Sequence, residues 1–195
     1  MLAKACDMED TRFQAAIAAF DALHRRDPEH PRALLEAERL SDRVERLEPS
    51  ASVALRLAAR CQHLERWTIA RESYEPGRVG YLKWRKDLAR FHADRAAEVL
   101  RGVGYDEDTI QAVRRINLKQ DLKQSPDTQT MEDALCLVFL EYELEAILDK
   151  YPGEDKAVDI LQKTWRKMSE RGHAAALALE LSPRGAALVG RALGG

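Results

Sequence analysis

The chain has 195 residues, a length that suits one compact domain able to bury about 70% of its unfolded surface without a disulfide or zinc staple. Charged residues make up 33%, the hydrophobic set 45%, and the formal net charge is -2. That balance fits a globular chain and excludes duplex nucleic acid as an expected partner, because a phosphate backbone needs a strongly basic face. Cys6, Cys61 and Cys136 are too few and too scattered for a disulfide framework, and read as reduced thiols of a cytoplasmic protein. "MLAKACDMEDTRF" lacks the apolar core of a signal peptide. The longest apolar run, "ALCLVFL" at 134–140, is too short to span a bilayer, so no membrane partner is expected.

The segments read as helix after helix, since none combines two-residue alternation with turn dipeptides. A first helix is expected over about 10–25, with Phe13, Ile17 and Phe20 on one stripe. "DPEHP" ends it, and Pro31 opens a second helix carrying Leu34, Leu35, Ala37, Leu40 and Val44. "EPSAS" breaks that helix, with Ser50 as a cap, and a third runs over about 51–66 through Val53, Leu57 and Cys61. "TIARESYEPGRVG" follows as an irregular stretch rich in turn formers. A long fourth helix, about 80–101, stops at "GVGYDED", where Gly102 and Gly104 suit a C-cap. A fifth starts near Asp106 or Asp108, acids that favour the positive end of a helix dipole. "KQSPDTQT" and "YPGED" bound a sixth, about 128–149, and a seventh covers about 154–170. The expected architecture is an all-α, single-domain bundle of seven to eight helices over residues 1–181, with 182–195 as a flexible tail.

His63 lies inside "ARCQHLERW" with Arg66 and Trp67 three and four residues on, so the three share a helix face or its end. His92 stands mid-way through "LARFHADRAAEVL". Imidazole is the commonest ligand of first-row metals, so two histidines on core-facing helix stripes make a candidate site for a divalent metal. Glu38 on the second helix and the Glu132–Asp133 doublet, which feeds the most apolar run, are the acids that could complete it, with Glu141 as a further candidate. An unpaired buried carboxylate is costly, so such acids need partners. Glu38, His63, His92 and at least one of Glu132 and Asp133 are therefore expected around a single cavity. Arg66, Arg71 and Arg85 stand in a locally positive stretch beside Trp67, Tyr74, Tyr81 and Trp84, a combination that suits an anionic, nucleotide-like small molecule. A phosphate-binding glycine loop and a serine nucleophile elbow are both missing.

"FQAAIAAFD", "LAARCQHLERW", "GYLKWRKDLARFHADRAAEVLRGVGY", "QTMEDALCLVFLE" and "KTWRKMSERGH" resemble the blocks of an uncharacterised helical family known only as a domain of unknown function, some members of which carry a glutamyl-tRNA synthetase label. More distantly, "LAARCQH" and "HADRAAEVLRGVGYDEDTIQAV" are similar to segments of the HD superfamily of metal phosphohydrolases. In that likeness Gln62–His63 stands where a His-Asp doublet belongs. Glu38 and Lys119 take the places of histidines, and Asp133 or Glu141 that of the last aspartate. The resemblance implies an HD-like bundle hydrolysing a phosphorylated or nucleotide-like small molecule. Glu38, His63 and Asp133 would be catalytic. His63, His92, Glu38, Glu132 and Asp133 would hold the metal, and Gln62, Arg66, Trp67, Arg71, Arg85 and Lys119 the substrate. The alternatives are a non-catalytic module that binds an anionic ligand or partner in the same pocket, and a structural protein whose polar residues form a buried network.

Overall fold

The computed structural model describes residues 2–151 and 154–194, with side chains from residue 9 onward, and every regular element among them is helical. Ten α-helices follow one another: α1 Leu2–His24, α2 Arg32–Leu47, α3 Val53–Cys61, α4 Gly77–Gly102, α5 Glu107–Asn117, α6 Pro126–Val138, α7 Leu144–Lys150, α8 Glu154–Trp165, α9 Glu170–Leu177 and α10 Pro183–Leu193. Two short 3-10 turns, Arg66–Thr68 and Arg71–Ser73, punctuate the stretch between α3 and α4.

Ten helices replace the expected seven to eight for two reasons. The expected sixth helix is interrupted by a π-helical turn at Phe139–Glu143, which separates α6 from α7. Two short helices also follow α8. Ser169 caps α9 by accepting from Gly172 N, and Ser182 caps α10 by accepting from Gly185 N, with Pro183 in the first turn of α10. A serine cap followed by proline is a strong helix start. α10 buries Leu188, Val189 and Ala192 and packs against α8, so residues 183–193 form a docked helix rather than the loose tail expected.

Other boundaries follow local chemistry in the same way. Ser52, not Ser50, caps α3 through Leu55 N at 3.0 Å, and Asp106 caps α5 through Thr109 N at 2.7 Å. Gly104 adopts a φ of 84° after α4, which lets Tyr105 N reach back to Leu100 O at 3.0 Å.

Two apolar clusters make up the core. The first joins α1 through α6 and includes Phe20, Leu55, Leu57, Leu100, Ile110 and Met131. The second joins α6 to the C-terminal helices and includes Leu137, Leu140, Leu148, Leu161 and Leu188. α6 belongs to both, with Met131, Ala134 and Val138 turned to the first and Cys136 and Leu137 to the second. A helix that is apolar nearly all round must be buried on all sides, which explains why "ALCLVFL" sits at the centre. Cys61 and Cys136 are buried free thiols, and burial pushes both up to about 12, so neither is a ready nucleophile; the side chain of Cys6 lies outside the described residues. Among the described residues no helix is long and apolar enough to cross a membrane.

Candidate functional site

α3 ends at Cys61, and the chain leaves it through Gln62, His63 and Leu64 before Glu65 enters the left-handed region at φ 50°. That conformation is unfavourable for a side-chain-bearing residue, so its surroundings must hold it. Glu65 is tied to α4 by Arg95 Nε at 2.5 Å and faces Arg26 at 4.0 Å. One turn earlier on α4, His92 Nδ1 donates to Leu64 O at 2.7 Å. A carbonyl only accepts, so this bond fixes the proton on Nδ1 and leaves the lone pair on Nε2. That nitrogen is buried with no hydrogen-bond partner among the described residues.

The His63 and His92 rings meet edge to face with centroids 5.8 Å apart. His92 is almost fully buried, whereas His63 keeps part of its surface open. Loss of water lowers both imidazoles, His92 to about 4 and His63 well below its ordinary value, and the positive charge of Arg66 adds to each shift. Arg85 and Lys119 act on His63 in the same sense. At neutral pH the site therefore holds two uncharged imidazoles among three cations.

Those cations differ in how they are neutralised. Lys119, itself left-handed at φ 54°, pairs with the buried Glu132, whose other oxygen is 3.7 Å from Lys167. Arg66 is half-buried with its guanidinium 5.3 Å from the Trp84 ring centroid, and Trp84 is anchored through Nε1 to Ile69 O at 2.9 Å. Arg85 is exposed. Neither Arg66 nor Arg85 forms an ion pair with any described residue. Burial and the like charge of Arg85 lower Arg66, while Glu36 and Glu143 oppose the shift from further off. Glu143 is at the surface, yet partial loss of water raises its carboxyl and the like charge of Glu36 adds to this.

Several expected site residues lie elsewhere. Glu38 is half exposed and faces Arg60 at 3.5 Å, the arginine that also holds Asp21 at 2.6 Å. Asp133 is fully buried and accepts from Gln129 Nε2, Ser169 N and Ser169 Oγ at 3.0, 2.8 and 2.5 Å, so it anchors the start of α9. The α9 backbone comes so close that a Cβ on Gly172 would lie 2.6 Å from Asp133 Oδ1. Glu141 pairs with Arg43 on α2. Arg71 donates to the carbonyls of Tyr74, Glu75 and Gly77 at 3.1, 3.1 and 3.3 Å and so braces the loop instead of facing a ligand. Trp67 is half-buried in the 3-10 turn, and Gln62 is buried with Oε1 lacking a partner. Of the five expected metal ligands only His63 and His92 come together, and among the described residues no group of three or more His, Cys, Asp or Glu side chains could hold a metal ion.

The acids with an electrostatic hold on Arg66 are Glu36 and Glu143, two residues from Glu38 and from Glu141. The π-helical turn carries Glu143 and also presents Tyr142, whose ring lies 4.0 Å under the Arg39 guanidinium. Single π turns recur at functional sites. A separate cavity of about 480 Å³ lies at the starts of α3, α6 and α9. Its lining acids already do what an anion would do there: Asp127 takes the Ser52 hydroxyl at 2.6 Å, Asp133 holds Ser169, and Glu48 holds Arg171 at 2.9 Å.

A family model described as "Domain of unknown function (DUF4202)" matches residues 14–189, nearly the whole chain. The chain belongs to this family. No curated protein and no solved structure matches it. The family adds no activity to the geometry, so any function must be read from the residues around His63 and Arg66 themselves.

Proposed function

We propose that the surface around Arg66 and His63, where the turn after α3 meets the first half of α4, binds a small anionic ligand of the phosphate class. The observation that carries this reading is Arg66, a half-buried guanidinium that makes no ion-pair contact with any described residue, the nearest acids, Glu36 and Glu143, acting on it only from further off. Partial burial of an unpaired charge is unfavourable, and a bound phosphate or carboxylate would relieve it with a bidentate pair. Arg85 would close on the same anion from the surface. Lys119, though paired with Glu132, adds to the positive potential at His63. His63 is the imidazole with open surface, and it is neutral, so it could accept a hydrogen bond from the ligand. The likeness to HD phosphohydrolases points to the same ligand class. Metal-assisted hydrolysis is the weaker reading, since Glu38, Glu132 and Asp133 are each held by other partners.

The test is calorimetric titration with inorganic phosphate, a sugar phosphate and a nucleotide, on wild type and Arg66→Ala. The substitution should weaken binding by about 1.5–3 kcal/mol, or about 10- to 150-fold, the range for a charge-assisted hydrogen bond. The melting temperature should move little, because no ion pair is lost. A wild type that binds none of the three anions, with an Arg66→Ala variant that melts many degrees lower, would make Arg66 a structural residue and end the proposal.

A further inference from the structure

The outer face of α4 carries a second feature that the proposed anion site does not use. Gly80, Trp84, Leu88 and His92 bury the inner face of this helix. At 100° per residue Arg78, Val79, Leu82, Lys83, Lys86 and Arg90 fall within an arc of about 140° on the opposite side, along about 18 Å of helix. All six are exposed, Val79 by 84% and Leu82 by 55%. The four cations form no ion pair with any described residue. Most cations elsewhere do find acids: Arg32, Arg46, Arg60, Arg95, Arg101, Arg114, Arg184 and Arg191 are all paired. Two protruding aliphatic side chains set among four uncompensated charges make a convex cationic ridge.

We infer that this ridge is a docking face for an acidic segment of a partner protein, one that offers carboxylates to Arg78, Lys83, Lys86 and Arg90 and an apolar groove to Val79 and Leu82. Charge complementarity selects an anionic partner. Two features select a protein over the other anionic macromolecules. No aromatic ring lies on this arc, so single-stranded nucleic acid would find no stacking platform. Glu72 and Glu75 are exposed just before α4, and a uniformly negative surface such as an anionic membrane would repel them, whereas a protein can place its charges around them.

Fluorescence anisotropy with a labelled peptide of about 14 residues, alternating paired glutamates with leucine, tests the inference. Saturable binding is expected. It should weaken about tenfold in Lys83→Glu/Lys86→Glu and about tenfold in Val79→Ser/Leu82→Ser, and stay unchanged in Arg66→Ala, which separates the ridge from the proposed anion site. All six positions are exposed, so the variants should keep the wild-type helical circular dichroism signal. A peptide that does not bind wild type, binding that survives both double substitutions, or tighter capture by oligouridylate or phosphatidylglycerol vesicles would overturn it.

Discussion

Lowering the pH from about 7 to about 4 should remove about 3 kcal/mol of stability through His92 alone, because its folded value is held near 4 against 6.5 in an exposed chain. The cause is burial, which penalises the imidazolium, reinforced by Arg66 and Arg85; the backbone bond to Leu64 opposes it only in part. The folded form resists the proton and the unfolded form accepts it near 6.5. Between about 4 and 6.5 the unfolded state therefore binds more protons, and stability falls as pH falls through that window. Below it His92 contributes no further loss. His24, fully buried with Nε2 on Arg60 O at 2.8 Å, is lowered by burial too and acts in the same direction, as does His63. Urea unfolding at several pH values should show this slope in wild type. His92→Asn, which can keep a donor for Leu64 O but does not titrate, should flatten it. Equal slopes in the two proteins would refute the assignment.

Asp133→Ala should cost about 3 kcal/mol, a fall of roughly 6–12 °C in melting temperature for a chain of this size. The fully buried carboxylate is the acceptor for the Ser169 amide, the Ser169 hydroxyl and the Gln129 amide, so its removal leaves both Ser169 donors unmatched, strips Gln129 of one of its two acceptors and unfastens the first turn of α9. Gly172→Ala attacks the same joint from the other side. Its new methyl would fall 2.6 Å from Asp133 Oδ1 and force the carboxylate away, at about 1–3 kcal/mol. Scanning calorimetry on the two variants checks both. A wild-type melt for Asp133→Ala, with lost ligand binding, would return Asp133 to the site.

The sequence carries the helices and the histidine pair, and it hides the acids. His92 shares the buried stripe of α4 with Leu88, four residues earlier, so helical spacing brings it inward; α3 ends at Cys61, and His63 is placed beside His92 by the turn that follows. Glu38 and Glu36 are two residues apart on α2, which is about 200° of rotation, and the surrounding leucines do not say which one faces the arginines; Leu35 is itself 40% exposed. Past Phe139 the π-helical turn shifts the phase of the helix, so regular spacing misplaces Glu141 and Glu143. Asp133 read as a ligand because its real partner, Ser169, is 36 residues away in sequence. α10 was visible in "SPRG", a serine cap followed by proline, but the glycines and small residues after it read as a tail.

The most direct test of the anion site follows the side-chain nitrogens of His63 by nuclear magnetic resonance while inorganic phosphate is added to the 195-residue chain at neutral pH. The proposal expects a saturable shift of the His63 signals, a much smaller shift at the buried His24, and loss of the response in Arg66→Ala. His63 signals that stay still through millimolar phosphate, or that move equally in wild type and Arg66→Ala, would contradict it.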